Sequence, residues 1–212
     1  MFAQRVVPFV HITTKIPDWP NDGMLSRVGG RGFPTVRFLS ADGEVLGQPQ
    51  GRSVESFEAA LDDLEAFFAA EARVEQGEDA ALNEYLVRGT WLERIEFERA
   101  QELVGRVGDL DRRERAELDE AMAALEFRAL VARTNDDIVE LGPRLAEMYE
   151  ERRIPGRWTG FEFFEKLTAH AELARDRRLF GAALRDAQRR YGKDPRYRQW
   201  FRDARKRGQQ IR

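Results

Sequence analysis

Apolar residues change their period along this chain, and the change marks its organisation. Up to Gly47 they come in short β-branched and aromatic runs, "VVPFVHITT", "TVRFL" and "EVLG". Runs of this type predict strands over Val6–Thr13, Thr35–Leu39 and Glu44–Gly47. Between the first two, "KIPDWPNDG" holds two prolines and an Asp-Gly pair and reads as a loop. Met24, Leu25 and Val28 fit a short helix or turn that Gly29, Gly30 and Gly32 end. "SADG" joins the last two strands as a hairpin, because Asp-Gly supplies a positive φ at low cost.

After Gly51 the period becomes helical. Ser53 is placed to cap a helix in which Val54, Phe57, Leu61, Leu64, Phe67 and Phe68 recur at steps of three and four. From Arg73 onward only helices are expected. "ALNEYLVRG" and "ERIEFERAQELVGRV" carry amphipathic stripes, and Asp111 with Glu114 forms a capping-box start for the helix of Leu118, Met122, Leu125 and Leu130. "IVELGPRLAEMYEERRIPG" predicts a helix interrupted or begun near Gly142–Pro143 and stopped at Pro155–Gly156. Three more helices follow, the last opened by Asp194–Pro195 as cap and first-turn proline. Helix after helix with short joints implies stacked antiparallel pairs.

Composition removes several chemistries. The 212 residues are 42% apolar and 34% charged, enough to build a core. There is no cysteine, hence no disulfide, thiolate nucleophile or cysteine-held metal. The two histidines, His11 and His170, have no ligand-type neighbours in sequence and are read as strand and helix packing residues. No cofactor or metal site is expected, and no carboxylate pair is singled out as catalytic. No apolar run has membrane-spanning length, and "MFAQRVVPFV" lacks a signal-peptide layout, which favours a soluble, cytoplasmic protein. "GGRGFP" leads into a strand rather than a helix and so fails the context of a phosphate loop.

The ordered set "VVPFVHITT", "GRGFPT", "VRFLSADGEVLG" and Gly51 before an amphipathic helix resembles the second half of a thioredoxin-like domain. That resemblance implies a cis-proline at Pro34, with Phe33, Pro34 and Thr35 forming a peptide-binding edge. The first half of such a domain, with its Cys-x-x-Cys, has no counterpart here, so thiol–disulfide exchange has no reactive group. The missing central strand would leave the Val6–Thr13 and Thr35–Leu39 strands to close into a three-stranded sheet, to pair with another chain, or to stay exposed as an edge for homo-oligomers. Farther on, "AHAELARDRRLFGAALRDAQRRYGKDP" resembles a tetratricopeptide unit through Ala171, Ala183 and Pro195, although Ala174 stands where an aromatic residue is usual.

The expected architecture is therefore α/β plus all-α, mostly α by residue count. A partial thioredoxin-like domain covers residues 1–72, and a helical, tetratricopeptide-like domain covers residues 73–212. The expected function is a redox-inactive protein-binding or scaffold module with a protein or peptide partner. An alternative is a shortened thiol oxidoreductase whose cysteines lie upstream of Met1. Charge adds one more reading. The net charge is −3, yet residues 185–212 hold eleven Lys or Arg against three Asp or Glu, a balance of +8 that leaves −11 on the rest. Arg189, Arg190, Arg198, Arg202 and Arg205 form a candidate patch for a polyanion or acidic partner. Nucleic-acid binding there is the less favoured version, because Tyr197, Trp200 and Phe201 fall at helical spacing and are expected to pack inward.

Overall fold

A computed structural model describes residues 5–10, 23–30, 34–49 and 51–211. The chain is mostly helical with a small antiparallel sheet. It divides into two compact units, Met1–Arg94 and Ile95–Arg212. The boundary expected at residues 72–73 falls inside one long helix, Val54–Glu75.

The first unit begins with a four-residue helix, Met24–Arg27 (α1), and a hairpin of Phe38–Leu39 (β1) and Val45–Gly47 (β2). Gly43 has φ +84°, the left-handed conformation that the Asp-Gly turn requires. The turn is closed on both sides by Ser40, whose carbonyl accepts from Gly43 N–H and whose hydroxyl accepts from Glu44 N–H. Helix α2, Val54–Glu75, starts at Ser53, whose side chain accepts from Ser56 N–H. Its buried stripe is Ala60, Leu61, Leu64, Phe67 and Ala70. Val54, expected in that stripe, is exposed. After a 3-10 turn at Asp79–Ala81, helix α3, Leu82–Trp91, folds back onto α2 and stacks Tyr85 on Phe67. That return is why this unit extends to Arg94 and does not end within α2.

Two sequence expectations change here. Residues 6–10 of the expected Val6–Thr13 strand are irregular, and residues 11–13 lie outside the described residues. The sheet is two-stranded among the described residues, not three-stranded. Pro8 removes a ladder donor, and the hairpin finds its apolar cover in α2, where Phe38 meets Phe57 edge-on. Arg5 ties the segment to the outside of α2 through Asp62 and Glu65 at 2.8 and 2.9 Å. Val7, Phe9 and Val10 are left facing outward, 93%, 64% and 83% exposed.

The second unit is all helical: Phe97–Val104 (α4), Arg112–Arg133 (α5), Ile138–Glu150 (α6), Arg157–Leu173 (α7), Arg177–Tyr191 (α8) and Arg198–Gln210 (α9). The capping box forms as expected: Asp111 accepts from Glu114 N–H, and Glu114 returns a carboxylate to Asp111 N–H. Asp194 caps a 3-10 turn, Pro195–Tyr197, that leads into α9. Helix α6 is not broken at Gly142–Pro143. It starts at Asp137 as cap and runs through Pro143, which is exposed and costs the helix one N–H.

Successive helices from α5 to α9 pack against one another around Phe127, Leu141, Leu145, Met148, Phe163, Phe164 and Leu167. Most joints use a left-handed residue that is not glycine. Asp136, Arg152 and Arg175 have φ of 63°, 63° and 55°, each at a helix end. Arg153 N–H then reaches Met148 O at 2.8 Å, and Asp176 N–H reaches Ala171 O at 2.8 Å, which satisfies the last turns.

Candidate functional site

The expected peptide edge is only partly on view. Phe33 lies outside the described residues; Pro34 is exposed and Thr35 half-buried. Arg37 gathers this region by donating to Val28 O at 3.1 Å and to the Gln48 side chain. His11 also lies outside the described residues. His170 is a packing residue: its ring occupies the space a side chain on Gly142 would need, and burial lowers its pKa below the usual value.

The arginines divide into two groups. Arg189 pairs with Asp186, and Arg190 with Glu120 at 3.4 Å, so these two are spent within the unit. Arg198, Arg202 and Arg205 lie on one flank of α9, all exposed. The aromatic residues between them face inward. Tyr197 stacks on Phe161 with centroids 3.7 Å apart, and Trp200 meets the same ring edge-on at 5.0 Å.

A feature that no sequence pattern announced lies on the second unit. A groove of about 740 Å³ opens between α4, α5 and the α6–α7 joint. Its floor is apolar: Phe97, Val104, Met122, Ala123 and Ile154. Its rim is built of ion pairs. Arg153 bridges Glu126 and Glu151, the latter at 2.7 Å, and the hydrogen bond it donates to Glu126 is the main reason its pKa is raised. Glu120 pairs with Arg190 and sits so close to Gly156 that a Cβ there would lie 2.4 Å from Oε2. Gly156 caps α7 without a side chain, so the Glu120 carboxylate supplies negative charge at that helix N-terminus. The rim is thus nearly neutral, and the groove offers apolar contact more than net charge.

Behind the rim, Tyr149 donates to Asp186 at 2.9 Å. Desolvation, followed by this hydrogen bond to a carboxylate, pushes the phenol up to about 12. A raised folded-state pKa favours the protonated form, so the contribution to stability is intact below about pH 10 and is lost as pH rises toward 12. Difference titration at the tyrosinate absorbance, wild type against Tyr149→Phe, is expected to show this phenol ionising above the ordinary tyrosine range. A Tyr149 titration near pH 10 in the folded protein contradicts the buried contact.

Among the described residues there is no cluster of three or more metal-ligating side chains, and no helix is long and apolar enough to cross a membrane. Comparison of the chain with protein-family models, with curated proteins and with solved structures found no match.

Proposed function

We propose that this chain is a redox-inactive protein-binding module whose helical unit receives an apolar peptide segment of a partner. The groove over Phe97, Val104, Met122, Ala123 and Ile154 carries the proposal. Its volume, about 740 Å³, accommodates several side chains, and pockets of this class bind through apolar area with a few placed polar groups. The rim charges already hold one another, so a charged insert would have to break Arg153 from Glu126 and Glu151 or Arg190 from Glu120. A segment presenting two or three apolar anchors at helical spacing breaks nothing and removes the floor from water. The absence of cysteine supports the redox-inactive part of the reading on chemical grounds.

Ancestry belongs to the same proposal. A hairpin turned by Asp42–Gly43 and followed by an amphipathic helix across it is the portion of the thioredoxin-like resemblance that the described residues retain. The helical unit is read as tetratricopeptide-like on its run of helices that each pack on the next in sequence and on the complete burial of Ala171 and Ala183.

Titration of fluorescent amphipathic peptides of varied apolar spacing tests the function. At least one peptide class is expected to saturate the wild-type protein, and Met122→Glu, which places a charge on the half-buried floor, is expected to weaken it by about tenfold or more. Uniformly unsaturable binding, or binding indifferent to Met122→Glu in a variant that unfolds at the wild-type midpoint, overturns the proposal.

A further inference from the structure

Apart from Arg190, the α8–α9 side of the second unit lies outside the groove, and among the described residues three arginines of α9 there lack the carboxylate partner that many arginines of this chain have. Arg5, Arg73, Arg88, Arg99, Arg133, Arg144, Arg153 and Arg190 each meet a carboxylate. Arg202 and Arg205 instead meet neutral amides: Arg202 donates to Gln199 Oε1, and Arg205 donates to Gln188 Oε1 at 3.0 Å. A glutamine oxygen orients a guanidinium without neutralising it. The Arg205–Gln188 contact also places the row on the α8 side of α9, with Arg198 one turn before Arg202 on the same flank. On α8, Arg185 stands one turn before Gln188 and is likewise exposed. Arg198 makes no ion pair with any described residue. Two neighbouring carboxylates are held by cations, Asp186 by Arg189 and Asp194 by Arg196, while among the described residues Asp203 of α9 accepts only from the Gln199 amide.

We infer that this flank is a second docking surface and that it takes an acidic segment of a protein partner. Three guanidinium groups at positions i, i+4 and i+7 span about 10 Å of helix, the reach over which carboxylates at the same spacing meet them one for one. Each fork keeps N–H donors that its glutamine does not use, and a carboxylate accepts two of them in parallel. Single-stranded nucleic acid is the competing polyanion, but it needs aromatic faces for its bases. Here Tyr197 and Trp200 are committed to Phe161, and the flank offers only cations.

The test compares a glutamate-rich helical peptide with a single-stranded oligonucleotide of similar charge, both fluorescently labelled, at low and at moderate salt. The peptide is expected to bind the full chain, to weaken about tenfold between ~50 and ~300 mM salt, and to lose about tenfold or more in Arg198→Glu/Arg202→Glu/Arg205→Glu. These side chains are exposed, so the variant is expected to unfold at the wild-type midpoint, and the corresponding triple lysine variant, which keeps the charge without the fork, is expected to bind more weakly than wild type and more tightly than the charge-reversed variant. Failure of the peptide to bind, equal binding by the charge-reversed variant, or tighter binding of the oligonucleotide than of the peptide overturns the inference.

Discussion

Replacing Phe163 with alanine is expected to cost the second unit about 3–5 kcal/mol of unfolding free energy. The side chain is completely buried, meets Phe127 edge-on at 5.8 Å and Phe164 at 5.6 Å, and sits in the cluster that joins α5, α6, α7 and α8. Removal forfeits the transfer free energy of the ring and leaves a cavity walled by residues from several helices, which cannot all close at once. In a unit of this size the loss is expected to lower the thermal midpoint by roughly 10–20 °C. Urea unfolding followed by circular dichroism measures it. A loss under about 1 kcal/mol means that Phe163 is not the centre of this core.

The second large effect concerns two glycines that look alike in sequence and are expected to respond with opposite sign. In Gly160→Ala the new methyl would lie 2.4 Å from the Pro155 carbonyl oxygen and 2.2 Å from the Tyr191 hydroxyl. Pro155 is buried backbone at the α6–α7 joint and has little room to yield. If Tyr191 yields instead, its hydrogen bond to Arg157 O, 2.9 Å long, is broken. The substitution is expected to destabilise by about 1–3 kcal/mol. In Gly181→Ala the nearest atom is 3.4 Å away and belongs to the mobile end of Arg185. Gly181 lies inside α8, where alanine is worth up to about 1 kcal/mol over glycine. Paired unfolding curves for the two variants decide the matter: shifts of the same sign contradict the packing described at the α7 N-terminus.

The parts of the fold that sequence disclosed are those where one residue type does one local job. Ser53, Asp111 and Asp194 could be read as caps because their side chains accept from N–H groups two or three residues away. Gly43 could be read as a turn for a similar reason. Joints lacking such residues were harder to see. Asp136, Arg152 and Arg175 hold left-handed φ where a reader looks for glycine, because the closing hydrogen bonds and packing offset the local strain. Pro143 was misleading in the opposite direction, since α6 continues through it, with Leu141, Leu145 and Met148 buried on either side.

The segment at Val6–Val10 reads as a strand by residue type, yet strand character also needs an adjacent edge, and none of the described strands runs beside it. The basic patch was legible as composition. Its division into ion-paired Arg189 and Arg190 and the row of Arg198, Arg202 and Arg205 required the positions of Glu120, Asp186 and Gln188. The groove was not legible at all. Its floor draws on residues from Phe97 to Ile154 that share no spacing, and its rim uses charges that look like ordinary solvated helix faces.

The central claim is that a peptide binds in the groove of the helical unit, and nuclear magnetic resonance titration of the labelled full chain tests it most directly. With the tightest-binding amphipathic peptide, the largest amide shifts are expected along α4 from Phe97 to Val104, at Ala116–Glu126 of α5 and at Glu151–Ile154. Shifts concentrated instead at Val6–Val10 and Pro34–Thr35 would contradict the groove and assign binding to the exposed apolar edge of the first unit.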